Sequence, residues 1–494
     1  MRRRCDETKP DCRRCSRQGI PCVYPKHLPA GTDSNSSSSS YPASHQPPSS
    51  EGIVTTTEAT PWSSHSAMML PLELPPVDLI AWIFPDRDER ELMSHFLCFG
   101  TVNMCAIPQL DKPIRFFDVA HHIQNPRGSS VVSDSLLFSL LAVAALHRSA
   151  IFSQQEQGFL TVSPVGRWGT PPLPPFPPTS STISRLKAIG THFSNTSIEM
   201  SRTAMVVKLS DEDVCEESLI HILESLVSSL ISQSMLGGTH WKEAFNIALA
   251  IIDIKGGPEK MLATAKRTSS WALTKIRSSL EDLAFVDTMV CLGTGSRPRL
   301  LLEPFQPWWF DYASEDDQDG LDTFQFAFGL DRGVLELTNR VNMLVYERHL
   351  LVNLSESEYM ECHDRKVNDI ILELEVWESG IDRDNLSRVD LGNIVMIHTM
   401  RVTVYIQLLG FPTSHTAVQS SALTALRLLD KAQHQYTIGL LVPKIIIGSV
   451  MLDAAGQDLA MKTFTYLRST LCYERGQDHN EVNWHKYLGH ALLF

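Results

Sequence analysis

From residue 86 onward, apolar residues recur every three or four positions through most of this chain. That is the period of one helix face, and it excludes the strict alternation of a half-buried strand. Residues 91–105 (ELMSHFLCFGTVNMC) and 133–151 (SDSLLFSLLAVAALHRSAI) read as buried helices, the second with Ser133-Asp134 at its N-cap. A capping-box pattern at Ser210 to Asp213 precedes a stripe of Leu219, Ile222, Leu223, Leu226 and Leu230. Trp241, Ala244, Phe245, Ala248 and Ile252 form another stripe, which stops at Gly256-Gly257-Pro258. Later stripes are Val334, Leu337, Val341, Leu344; Val367, Ile370, Ile371, Leu374; and Ile394, Ile397, Arg401, Val404, Leu408 ahead of Gly410 and Pro412. No alternating run has strand length. The expected fold class is all-α, with about a dozen or more helices over 86–494.

Composition agrees with a large packed body. The chain has 494 residues, of which 43% are hydrophobic, enough for one large domain or a few smaller ones. Two segments interrupt the helical pattern. Residues 164–178 (PVGRWGTPPLPPFPP) hold too many prolines for a helix and read as a loop rather than a partner ligand. Residues 311–322 (DYASEDDQDGLD), beside Trp308, Trp309 and Phe310, read as an acidic surface loop rather than an activation segment. No apolar run reaches the roughly 20 residues of a membrane span, and Met1 leads into no signal-peptide h-region. The sequons at Asn195, Asn353 and Asn385 are therefore read as chance matches.

The N-terminus has a different chemistry. Cys5, Cys12, Cys15 and Cys22 fall at C-x6-C-x2-C-x6-C among Arg2, Arg3, Arg4, Lys9, Arg13, Arg14, Arg17 and Lys26. Thiolates so spaced can converge on zinc, which takes four sulfurs tetrahedrally. Basic side chains around so small a knot suit a reader of nucleic-acid phosphates. The alternative from the residues alone is a basic, cysteine-bearing tail without metal. Net charge over the whole chain is −13, so one small basic segment precedes an acidic body. Residues 27–85, rich in Ser and Pro, read as a disordered linker with a mean reach of about 45 Å. Cys98, Cys105, Cys215, Cys291, Cys362 and Cys472 show no pairing rhythm and read as buried thiols.

The N-terminal stretch resembles the fungal binuclear zinc-cluster transcription factors. Cys5, Cys12, Cys15 and Cys22 match the last four of that family's six cysteines, with Lys9-Pro10, Gly19 and Tyr24 also in place. The body resembles the fungal-specific transcription-factor domain through ELMSHFL, Leu140 to His147, His240 to Pro258 and Met396 to Gln419. The resemblance implies zinc as cofactor, with Cys12 as a bridging ligand and its partner bridge missing. It also implies Arg2, Arg3 and Arg4 at the end of a recognition helix whose fixing cysteines are absent. A start codon assigned inside the cluster is the expected explanation. A single zinc on all four cysteines remains open.

The chain thus divides into a partial zinc-cluster segment at 1–26, a linker at 27–85 and a helical regulatory domain at 86–494. The expected function is sequence-specific regulation of RNA polymerase II transcription in the nucleus. The implied partners are DNA with CGG-type sites and the transcription machinery. Many relatives dimerise through a coiled coil after the cluster. The linker here has no heptad run, so a homodimer stays open without that route. The alternative is a helical regulator that does not read DNA and acts through protein or small-molecule contacts. Enzyme signals are weak. Gly293-Thr294-Gly295-Ser296 lacks a Walker lysine and a preceding strand, and reads as a helix terminator. His121-His122 and Cys362-His363-Asp364 lack a second ligand pair and read as surface or cap residues. No catalytic residue is assigned.

Overall fold

A computed structural model describes residues 83–100, 105–107, 127–156, 179–209, 216–236, 240–302, 307–310, 323–351, 357–431 and 438–460. Contacts divide the chain into residues 1–73 and 74–494, and every described residue lies in the second unit. Among the described residues there are helices and connections and no strand. In order, the helices are α1 (Arg87–His95), a π-helical turn π1 (Phe96–Gly100), α2 (Val131–Glu156), α3 (Ser180–Leu209) and α4 (Glu216–Leu236). Then come α5 (Trp241–Ile254), α6 (Pro258–Thr268), α7 (Ser270–Thr294), α8 (Pro307–Phe310) and α9 (Thr323–Phe328). The last are α10 (Arg332–Leu351), α11 (Ser357–Ser379), α12 (Arg388–Thr403), π2 (Val404–Leu408), α13 (Thr416–Lys431), a 3-10 turn (Ile438–Leu440) and α14 (Leu441–Val450).

Helix boundaries follow local chemistry. α1 begins at Asp86, whose carboxylate accepts the N–H of Glu89 at 3.1 Å. The single helix expected over 91–105 is described as α1 followed by π1 up to Gly100; residues 101–104 lie outside the described residues. α2 starts at Val131, ahead of the Ser133-Asp134 pair expected to cap it. The Oγ of Ser130 takes the N–H of Ser133 at 3.1 Å, and Asp134 reaches back to the N–H of Gly128 at 2.9 Å. α5 ends at the expected glycine pair. Gly256 and Gly257 have φ of 84° and 92°, a region that a Cβ disfavours, and Pro258 opens α6 at its first turn. α7 ends with Gly295 in the left-handed region, as expected of the terminator. Ser387 and Asp390 form a capping box before α12. The capping pattern at 210–213 and the loops at 164–178 and 311–322 lie outside the described residues.

Two apolar clusters organise the packing. One gathers α1, π1, α2 and α3 around Phe84, Leu92, Met93, Phe96, Leu141 and Leu146. The other, much larger, takes in Val132 of α2, Ile198 and Ala204 of α3, and the helices from α4 to the end of the described chain. α2 and α3 are antiparallel: Ser149 Oγ meets the Ile183 carbonyl, and Ser197 Oγ donates to the Ser135 carbonyl at 2.8 Å. α3 and α4 are antiparallel too, joined by buried hydroxyl pairs Ser194–Ser232 at 2.7 Å, Ser197–Ser229 at 3.1 Å and Ser201–Ser225 at 3.1 Å. The predicted stripes of α4, α5 and α10 are buried as sets. Segments Val131–Ser153 and Glu216–Leu236 have the length and hydropathy of membrane spans, but 94% and 83% of their apolar windows are buried among other helices.

Candidate zinc segment and the buried polar sites of the body

Charged side chains inside the body hold specific helices together. Arg332, the first residue of α10, pairs with Glu281 of α7, and both are buried. The Arg332 guanidinium also reaches the Trp309 carbonyl at 3.4 Å and lies 4.9 Å over the Trp309 ring and 5.3 Å from that of Phe324. Arg277, one turn before Glu281, donates to the Trp308 carbonyl at 3.1 Å. Two arginines thus clamp α8, and the Trp309 ring packs edge-on against Phe324 of α9 at 5.3 Å. A second buried pair, Lys275–Glu224 at 2.9 Å, ties α7 to α4.

Other buried groups are shifted toward neutrality. His95 of α1 and His147 of α2 share a hydrogen bond at 3.1 Å. Burial lowers His147 to about 4; burial, then His147 and Arg148, push His95 well below its usual value. Lys444 of α14 is lowered to about 7 by burial, with the Arg388 charge acting the same way. His398 of α12 is lowered to about 4, mainly by burial, while the Glu378 carboxylate opposes the shift. Glu378, at the end of α11, also pairs with Arg401 and Arg383. These groups fasten α1 to α2 and α11 to α12. Burial raises Asp287, which accepts the N–H groups of Arg299 at 2.7 Å and Leu300 at 2.9 Å. Cys291 is pushed up to about 12, chiefly by burial, which favours the thiol over the thiolate.

Cys5, Cys12, Cys15, Cys22, Arg2, Arg3, Arg4, Lys9, Arg13, Arg14 and Arg17 all lie outside the described residues, as do His121 and His122. Of the other candidates, Cys362 and Asp364 are exposed, while His363 is buried and bonded through Nε2 to the Leu344 carbonyl at 3.0 Å. The surface-or-cap reading is therefore wrong for His363, which lies on the inward side of α11 beside Val367 and Ile370 and joins that helix to α10. The thiol expectation needs a parallel correction: Cys98, Cys105 and Cys291 are buried, but Cys362 is not. Among the described residues no three His, Cys, Asp or Glu side chains converge as metal ligands. The Glu281–Arg332 node was not read from the sequence, because its partners meet only after folding.

The family model for the fungal specific transcription factor domain matches residues 91–473. The chain belongs to the fungal-specific transcription factor family. A second family model, for the fungal Zn(2)-Cys(6) binuclear cluster domain, matches residues 1–30. No curated protein and no solved structure matches the chain. Membership places this helical body among transcription regulators. The donor chemistry at the N-terminus fits zinc, since the matched segment carries the four cysteines Cys5, Cys12, Cys15 and Cys22 and sulfur is a donor that suits that metal. A two-zinc cluster of the matched type takes six.

Proposed function

We propose that this chain is a nuclear, zinc-dependent, sequence-specific DNA-binding regulator of RNA polymerase II transcription, and not an enzyme. Residues 1–26 read DNA, 27–85 tether, and 86–494 regulate. The observation that carries the reading is the pairing, in one chain, of a zinc-cluster match at 1–30 with a transcription factor domain match at 91–473. Cys5, Cys12, Cys15 and Cys22 would hold zinc, which cross-links a segment too small to bury a core. Arg2, Arg3 and Arg4 meet base edges, where arginine bonds guanine bidentately. Lys9, Arg13, Arg14 and Arg17 contact phosphates, which position the protein without specifying sequence. The transcription machinery, or a second copy, would engage the body.

The ligand count favours a second reading, a helical regulator acting without sequence-specific DNA contact: four thiolates satisfy one zinc, not two. Anisotropy titrations of the zinc-loaded chain, and of a variant with a C-x2-C and basic helix added ahead of Arg2, separate the two. The first reading predicts weak, steeply salt-dependent binding with little CGG preference for the chain itself, and roughly 10³-fold preference for CGG-bearing over scrambled duplexes for the six-cysteine variant, relaxed more by Arg2→Ala and Arg3→Ala than by Arg17→Ala. No CGG preference in the six-cysteine variant sinks the first reading and supports the second. Native mass spectrometry checks the metal: the four-thiolate set predicts at most one zinc per chain.

A further inference from the structure

The charged side chains of α11 fall into two sets. One set fastens the helix to its neighbours: Asp364 meets Arg348 at 3.6 Å, Lys366 meets Glu347 at 3.2 Å, and Glu373 pairs with Arg340. Glu378 belongs to it too, through Arg401 and Arg383. The other set, Glu361, Arg365, Asp369 and Glu375, is exposed and has no ion pair among the described residues. At about 100° per residue, these four share an arc of about 120° with Leu372 and Val376. Leu372 is 59% exposed and Val376 69%. The buried residues His363, Val367, Ile370 and Leu374 lie on the opposite side. One side of α11 is therefore packed, and the other presents both signs of charge and two large apolar side chains to solvent.

That outward face is complementary to itself. Arg365 and Glu375 stand about 15 Å apart along the helix axis. When two copies of α11 pack antiparallel about a twofold axis level with residue 370, Arg365 of each copy faces Glu375 of the other. The two Leu372 side chains then flank the axis. Val376 lies along the aliphatic stem of Arg365 from the other copy. Parallel packing would instead set Arg365 against Arg365 and Glu375 against Glu375, which repel.

We propose that the outward face of α11 pairs antiparallel with the same face of a second copy, through two Arg365–Glu375 ion pairs around Leu372. The occupant is a second copy because the face carries its own charge complement. The three acids on it oppose a nucleic acid, and a peptide of one charge sign matches only part of it. The stripe is about 22 Å long, less than a standard interface of about 800 Å² per partner needs, so the dimer is a weak one. The proposal rests on the reading of a second copy as a partner of the body and names the surface. It does not depend on how residues 1–26 treat DNA.

Sedimentation velocity of the full chain tests it, in reductant so that the exposed Cys362 forms no disulfide. The expected result is a reversible monomer–dimer equilibrium by about 200 μM. Arg365→Glu, Glu375→Arg and Leu372→Asp should each weaken the dimer about tenfold or more, since the twofold counts every change twice. The double reversal Arg365→Glu/Glu375→Arg should return affinity to within about threefold of wild type. All three positions are exposed, so thermal unfolding of the variants should match wild type. A chain that stays monomeric at about 200 μM overturns both the surface and the second-copy reading. A dimer unmoved by the single substitutions, or not restored by the double reversal, keeps the second copy and overturns this surface.

Discussion

Glutamine in place of Glu281 tests whether the arginine node holds the body together. Glu281 is 0% exposed and Arg332 4%, so neither charge has water as an alternative partner. The amide keeps the shape and an acceptor but removes the negative charge opposite the guanidinium. Removing one member of a buried pair costs about 3–5 kcal/mol, because the remaining charge is left uncompensated. Arg332 keeps its Trp309 and Phe324 ring contacts, which favours the lower end, about 3 kcal/mol. With an unfolding entropy of about 2.1 cal/mol/K per residue, a body of about 400 residues loses roughly 4 °C in Tm. Removing both charges in Glu281→Leu/Arg332→Met should cost less than the sum of the two singles, since no buried charge is stranded. The assay is thermal unfolding of wild type, both singles and the double. A Glu281→Gln shift under about 1 °C, or strictly additive singles, would refute the reasoning.

The histidine pair predicts acid sensitivity. Folding holds His147 near 4 and His95 well below 6.5, so their contribution is intact above pH 6.5 and is lost as pH falls toward 4. For His147 the loss reaches about 3 kcal/mol. His147→Leu should flatten that part of the Tm–pH curve, and an unchanged slope counts against the assignment. Lys444 falls from 10.5 to about 7, so stability present at high pH is lost as pH falls through that window, and the charge is costly at and below neutrality. Lys444→Met should raise Tm at pH 7 and do so less at pH 10; an equal gain at both is the contrary result. Gly392 abuts the Gly329 carbonyl so closely that a Cβ would overlap it, whereas at the exposed Gly380 a Cβ meets only ordinary contacts. Gly392→Ala should cost about 3 kcal/mol and Gly380→Ala under about 0.5, measured by urea unfolding. Equal costs would show that the close approach is unimportant.

Helix identity was legible because periodicity reports a face directly. Leu219, Leu223, Leu226 and Leu230 are buried together, and Gly256-Gly257-Pro258 ends one helix and opens the next. Two features escaped because they depend on distant partners. Lys444 stands as the one charge in the apolar sequence Leu440–Val450, which gives no sign that α14 buries it near Arg388. His363 read as a surface or cap residue, yet the Leu344 carbonyl on a neighbouring helix gives its ring a place inside. The π turns escaped for another reason: Phe96–Gly100 and Val404–Leu408 keep apolar spacing, and a one-residue change in hydrogen-bond register leaves little trace in such a pattern. The zinc segment was legible only as cysteine spacing and surrounding charge.

The hydroxyls between α3 and α4 explain how helices with membrane-like hydropathy serve a core. An all-round apolar helix can pack in several rotations, since any face is as good as another. In α4 the serines break that equivalence. Ser225, Ser229 and Ser232 meet the hydroxyls of Ser201, Ser197 and Ser194 on one face of α3, and Ser232 also donates to the Ser229 carbonyl of its own helix at 2.9 Å. Ser197 also donates to the Ser135 carbonyl, so the same hydroxyl row fixes α2 against α3. The small side chains permit close approach, while a misrotated α4 would lose the three cross-helix hydroxyl pairs, each worth about 0.5–1.5 kcal/mol. Stability therefore comes mainly from the two apolar clusters, and the choice of a single helix arrangement from the polar row between them.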